Sequence, residues 1–328
     1  MILLSLHNGD LIKGFIKSLC FYSHEAVKRA VLKASSHNTY VETISQSADT
    51  LHKGLIEWEP DLIEQVFAQN CAKRLRTMHL GICDVLIDIT EEDFYGKVDG
   101  LWLHPWTGEA GVKAHYKFIV CTAKIRNKKF PVAVKILRIG SDIASAIGFL
   151  LQACKKAGLL IRTVLLDRGF YSADIIRELK EQEVFYLVFA RKSKNINCML
   201  ESMQKSAVII HEMTLNKNKT KTKIETNLAL VKNYNDFDWV FATNLEMSEK
   251  EIAKRYTIRW NIETDFRVQD EARIKSKSKR PEVRLFYFLI SCLLLFVWNA
   301  TQKNHVTFKK FIINLSESQF IEHKILFV

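Results

Sequence analysis

Proline and glycine are scarce, 4 and 12 in 328 residues, which excludes a collagen-like or low-complexity organisation. The seven cysteines (Cys20, Cys71, Cys83, Cys121, Cys154, Cys198 and Cys292) are scattered, odd in number and form no CxxC pair. Neither a zinc ribbon nor a disulfide framework is signalled, and a reducing cytoplasm fits. His104 and His115 flank a loop containing tryptophan and glycine, but without cysteines at ligand spacing zinc is not expected. The longest apolar run, Leu285 to Trp298, is 14 residues, short of the roughly 20 that span a bilayer. It predicts a buried core helix and no membrane association. The start, MILLSLHNGDLIKGF, lacks the basic and apolar regions of a signal peptide. No GxSxG and no GxxxxGK[ST] occurs, so neither a nucleophile elbow nor an ATP loop is indicated.

What is abundant is positive charge. Lysine plus arginine is 48 against 36 acidic residues, a net +12. A polyanion is the expected partner, nucleic acid first and an anionic membrane surface second, with a merely basic enzyme as the plain alternative. An apolar fraction of 48% and a charged fraction of 26% describe a globular chain. Its length suits two or three domains.

Residues 1–80 repeat apolar positions at three and four and predict a helical N-terminal region. Its polar faces carry Lys28, Arg29, Lys33, Lys73, Arg74 and Arg76, either simply solvated or a DNA-binding module. Asp61 is a candidate cap for a helix following Pro60. The period changes near residue 82, where CDVLIDIT reads as a buried strand. HYKFIVCTAKI and FPVAVKILRI predict a hairpin; a helix follows, with Ser141 as cap and Gly158 as stop. Then come the strand IRTVLLD, a helix, and the strand VFYLVFAR. This order predicts an α/β domain with a mixed sheet over 81–300. Residues 191–246 predict an insertion of short strands. A helix capped by Ser248 and Glu251 is expected from 248 to about 273, then the basic tract RIKSKSKR, an apolar helix from about 282 to 300, and a short tail over 301–328.

Three carboxylates stand out. Asp88 closes the first apolar strand and Asp167 closes IRTVLLD. Functional groups gather at the carboxyl ends of strands in α/β sheets, and a carboxylate after buried apolar residues needs a partner. Side by side, two such ends make an oxygen site for a divalent cation; singly, each is as well explained as a cap. The third lies in YTIRWNIETDF, where Tyr256, Arg259 and Glu263 are spaced i, i+3, i+7 on one helical face. That face suits a metal ligand beside phosphate-holding groups; an ordinary Arg259–Glu263 ion pair would look the same.

Taken together, Asp88, Asp167 after 79 residues and Glu263 after a further 96 resemble the DDE triad of transposases, and the surrounding order resembles their ribonuclease H-like core. DRGFYS resembles the segment around the second Asp of insertion-sequence transposases. YTIRWNIE resembles the Y-x2-R-x3-E part of the signature of the insertion-sequence-four family, and the strand-rich insertion before it is similar to that family's. The resemblance covers roughly 82–300. It implies a ribonuclease H-like mixed sheet with flanking helices, a strand-rich insertion and a helical N-terminal region. One position departs: where the family signature carries Lys, seven residues after the Glu, this chain has Asp270. Arg267, about 20° from Tyr256 on an ideal helix, is a substitute cation, with Lys275 and Lys277 as further candidates.

The resemblance implies a DNA transposase in which Asp88, Asp167 and Glu263 hold two Mg²⁺ ions, with Mn²⁺ able to substitute. Cutting at the terminal inverted repeats of an insertion sequence would be followed by transfer of the 3′-hydroxyl strands into target DNA. The implied partner is double-stranded DNA bound by a homodimer, in a prokaryotic cytoplasm at the nucleoid. Trp239 is either a core residue or a platform for an unpaired base, and the tract from Arg273 to Arg280 either a DNA contact or a solvated linker. A catalytically silent DNA-binding descendant and another ribonuclease H-like nuclease are the alternatives.

Overall fold

The computed structural model describes residues 2–19, 24–46, 48–217, 220–301 and 306–325, with the side chains of 2–10, 216–217, 220, 260–263, 265 and 319–325 outside that description. Four helices come first: α1 (Ile2–Leu19), α2 (His24–His37), α3 (Ala48–Leu55) and α4 (Pro60–Thr77). Pro60 opens α4, where its missing N–H costs nothing. Asp61 does not cap it; its carboxylate accepts a hydrogen bond from Lys135 Nζ at 2.9 Å. Ile63, Phe67, Cys71 and Leu75 recur at four and bury one face of α4. Phe15 of α1 meets Phe67 edge-on.

The sheet follows. Its strands are β1 (Ile82–Phe94), β2 (His104–Pro105), β3 (Ala114–Ile125) and β4 (Lys128–Leu137), then β5 (Leu160–Leu166) and β6 (Tyr186–Phe189) beyond helix α5 (Ile143–Lys156) and either side of helix α6 (Ala173–Glu181). β3 pairs antiparallel with both β1 and β4, while β5 runs parallel to β1 and β6 parallel to β5. The order β4-β3-β1-β5-β6, three antiparallel strands followed by two parallel ones, is the expected ribonuclease H-like mixed sheet. Asp142, not Ser141, caps α5 by accepting from Ser145 N; the Ser141 hydroxyl accepts from Arg138 N in the preceding turn. Gly158 does follow the end of α5, in the left-handed region at φ 74°.

Between 191 and 246 the strands are long and belong to the same sheet. After helix α7 (Lys194–Ser202) come β7 (Ala207–Lys217), β8 (Thr220–Tyr234) and β9 (Phe237–Thr243), and β9 pairs antiparallel with β6. The polar composition hid α7: Ser193 caps it, and only Ile196 and Leu200, four apart, are buried.

The expected long helix is broken into α8 (Glu249–Tyr256), a 3₁₀ turn over 257–259, α9 (Trp260–Gln269) and a second 3₁₀ turn over 270–272. The Ser248–Glu251 capping box is present at its start. Helices α10 (Pro281–Ala300) and α11 (Phe308–Ile325) complete the chain. The region read as a tail is thus largely helical, with Phe308, Ile312 and Leu315 buried.

β1 is buried on both faces. Val85 and Ile87 join the main core with α1, α4, α5 and α10, whereas Leu86 joins a smaller core with Leu165, Leu187, Phe241, Ile252 and Tyr256 beneath α8. Among the described residues α10 alone is long and apolar enough to cross a membrane, but it is mostly buried, with Phe286 stacked on Phe15 at 5.8 Å.

Candidate active site

The parallel ladder between β1 and β5 aligns Asp84 with Thr163 and runs through Leu86–Leu165 to Ile87–Leu166. The next residue on each strand is Asp88 and Asp167, so the ladder delivers both carboxylates to one end of the sheet. β5 stops there, and Asp167 caps a 3₁₀ turn over 168–170 by accepting from Gly169 N. Asp88 does not end its strand, contrary to the sequence reading: β1 continues to Phe94, paired with β3. The acidic residues of that extension are accommodated by cations, Glu91 by Lys117 at 2.7 Å and Glu92 by Arg284 at 2.5 Å.

Arg259 joins the two carboxylates. Its Nη1 lies 3.3 Å from Asp88 Oδ2 and its Nη2 3.4 Å from Asp167 Oδ2. Its Nε donates to Tyr256 Oη at 2.9 Å. Arg259 as a whole is 7% exposed. Burial opposes its charge, but Tyr256 and Asp88 more than offset this and hold its pKa above the ordinary value. Burial pushes the Tyr256 phenol up to about 12 against the stabilising effect of Arg259, so it is a neutral hydrogen-bonding group across the physiological range. Phe241 and Phe189 pack on the Tyr256 ring with centroids at 4.9 and 5.6 Å.

Glu263 lies in α9, one turn beyond Arg259; its side chain is outside the described residues. Among the described residues no three His, Cys, Asp or Glu side chains form a metal-binding group. The donors present nevertheless fit a divalent cation. Asp88 and Asp167 supply hard oxygen ligands, and both turn one oxygen toward a shared positive charge.

The remaining predicted residues divide. Trp239 is half-buried beside an open cavity of about 810 Å³, also lined by Arg168, Phe189, Arg191, Lys192 and Phe237. It stacks on Phe241 at 6.1 Å, and its indole N–H donates to Tyr234 O. Arg267 is exposed on α9. The 3₁₀ turn, at about 120° per residue instead of about 100°, rotates α9 by roughly 60° from the ideal-helix reckoning. Lys275 and Lys277 are exposed on an extended segment beside Tyr40, with Lys275 N donating to Thr39 O at 3.1 Å and Lys277 Nζ 5.3 Å from the Tyr40 ring.

Sequence reasoning missed a second cluster four residues back along both strands. Asp84 is buried and accepts from Arg255 Nη2 at 2.6 Å and Arg162 Nη2 at 2.5 Å. Arg255 also reaches Thr163 Oγ1 at 2.8–3.0 Å. The signal was available: Asp84 and Asp88 are four apart, as are Arg255 and Arg259 and also Thr163 and Asp167.

The family model described as "Transposase DDE domain" matches residues 96–298, more than half of the chain. The matched stretch contains Asp167, Tyr256, Arg259 and Glu263 and begins eight residues after Asp88. No curated protein matches.

Proposed function

Since the chain belongs to the transposase DDE domain family, we propose that it is a cut-and-paste DNA transposase of the insertion-sequence-four type. The observation that carries this reading is the convergence of Asp88 and Asp167, from adjacent parallel strands, on buried Arg259. Asp88, Asp167 and Glu263 would hold two Mg²⁺ ions, or Mn²⁺ in their place. Such ions lower the pKa of an attacking water or hydroxyl and neutralise the leaving oxygen.

In the first reaction a water oxygen bonds to a phosphorus at the transposon end. The bond to the 3′ oxygen breaks, and that oxygen takes up a proton. In the second, the freed 3′-hydroxyl attacks a phosphorus of the target strand and displaces its 3′ oxygen, so the number of phosphodiester bonds is conserved. Arg259 has a planar donor set suited to two phosphate oxygens. Tyr256, protonated throughout, holds the Nε side of that guanidinium, fixing its plane. Trp239 offers a ring at a cavity lined by three cations and one acid, Asp238, where an unpaired base would stack while Arg168, Arg191 and Lys192 meet its phosphates. Arg267, Lys275 and Lys277, all exposed, and the basic faces of the N-terminal helices would contact the duplex, except for Lys28, which is buried and not on a solvated face as its helical spacing suggests. Two transposon ends require two active sites, hence a homodimer on terminal inverted repeats. The protein would work at the nucleoid of a prokaryotic cytoplasm.

The test is a nicking and strand-transfer assay on DNA carrying the terminal repeats of its own element, with Mg²⁺ or EDTA, for wild type and Asp167→Ala. Mg²⁺-dependent cutting and joining, lost in Asp167→Ala, is expected. End-specific binding without cutting, equal in both proteins, would leave a silent DNA-binding descendant; cutting without joining would leave a ribonuclease H-like nuclease.

A further inference from the structure

Asp84, Arg162, Thr163 and Arg255 form a polar cluster that no step above uses. Asp84 is 2% exposed and Thr163 fully buried. Two arginines converge on the one carboxylate, and Arg255 alone also reaches the threonine, through both Nε and Nη2. A buried carboxylate this well satisfied is rigid, because any rotation breaks several charge-assisted hydrogen bonds at once.

The cluster repeats the active site four residues back along both strands. Asp84 and Thr163 are a ladder pair on β1 and β5, and Arg255 spans them. Asp88 and Asp167 follow on the same strands, and Arg259 spans those. Four residues of strand extend about 13 Å, whereas four of α-helix advance about 6 Å. A regular helix bearing both arginines would therefore fall behind the two aspartates. The chain stretches over this interval: α8 ends at Tyr256 and a 3₁₀ turn covers 257–259, rising about 2 Å per residue. The turn recovers about 1.5 Å of that roughly 7 Å difference, and Arg255, held by Asp84 and Thr163, is the fixed point just before it. Tyr256 and Arg259 hang from that point.

We propose that Arg255, held by Asp84 and Thr163, is a positioning residue that sets Tyr256 and Arg259 against the reacting phosphate. It touches neither Asp88 nor Asp167 and is not itself catalytic. The kinetic part of this inference rests on the functional reading above; the structural part does not. Misplacing a reacting constellation by about 1 Å costs up to about 100-fold in rate, and that is the effect expected here.

The experiment uses the full chain as wild type, Arg255→Gln, Arg255→Lys, Arg259→Lys and the double variant Arg255→Gln/Arg259→Lys. Single-turnover nicking with Mg²⁺, duplex affinity, melting temperature and the crystallographic position of Arg259 are measured. For Arg255→Gln the nicking rate is expected to fall about 10–100-fold, with duplex affinity within about threefold of wild type. Arg255→Lys, which keeps the charge on Asp84 but not the fork to Thr163, should be intermediate, and it carries the test if Arg255→Gln does not fold. In the Arg259→Lys background, Arg255→Gln should add less than about threefold, because the group it positions is already altered. A wild-type nicking rate in Arg255→Gln, or an equal effect in both backgrounds, overturns the proposal. If the wild-type protein does not cut, the functional reading fails and the position of Arg259 decides the coupling. Displacement from Asp88 and Asp167 in Arg255→Gln upholds it, and an unmoved guanidinium overturns it.

Discussion

Asp88 and Asp167 would repel each other without a cation between them, and Arg259 supplies one. Arg259→Ala is therefore expected to destabilise the metal-free protein by about 2–3 kcal/mol, since it leaves two partly buried carboxylates face to face. Added Mg²⁺ should recover much of that loss and raise the melting temperature of the variant more than that of wild type; equal Mg²⁺ shifts would refute this account. Asp88→Asn and Asp167→Asn should each lower Mg²⁺-dependent cutting by about 10³-fold or more while duplex binding stays within a few fold, measured by nicking and by titration. Both aspartates were legible in the sequence because each follows an apolar β-branched run, where a charge is conspicuous. Tyr256 and Arg259 were legible from their spacing. Asp84 was overlooked: it stands near the start of its run, and its one signal is the shared four-residue offset from Asp88, which does not by itself say that Arg255, 171 residues away, reaches it.

At the scale of elements, the contact between α4 and β4 carries a titration. Glu64 of α4 is fully buried, accepting from Lys135 Nζ at 2.7 Å and Ile136 N at 2.7 Å. Burial raises its pKa to about 7 despite those partners. The folded protein then binds more protons than the unfolded chain between about pH 4.5 and 7, so stability is greatest at the acid end and declines as pH rises through 7. The decline amounts to about 3 kcal/mol at most. Chemical denaturation at pH 5 and pH 8 should show this loss in wild type and a much smaller one in Glu64→Gln. At the start of α8 the Ser248–Glu251 capping box is complete, and Ser248→Ala should cost about 1 kcal/mol in the same measurement. The capping box was readable from S-x-x-E, but the interruption of the helix at Thr257, nine residues after Ser248, was not. No proline or glycine marks residues 257–259.

For the whole molecule, the +12 charge should make duplex affinity fall about 10³-fold or more between 50 and 200 mM salt if six or more phosphates are contacted. A flat salt profile would remove DNA as the partner. The central sheet was legible because buried strands leave short apolar runs, and α10 because its unbroken 14-residue apolar run reads as a core helix. α11 was not, since among its described residues the buried apolar ones, Phe308, Ile312 and Leu315, are few and interspersed with polar ones. Nor was the continuity of β9 with β6, a pairing between residues 52 to 56 apart in the chain. The ladder between β1 and β5 has a last consequence. Asp88 and Asp167 stand level only because the strands beneath them are counted in step from Asp84 and Thr163. Losing one residue from Val164–Leu166 would shift Asp167 by about 3.3 Å and turn it to the other face. Natural length variation should therefore accumulate in the 95–113 loop and the β7–β8 hairpin and be purged from these three positions, however conservative the deletion looks by composition.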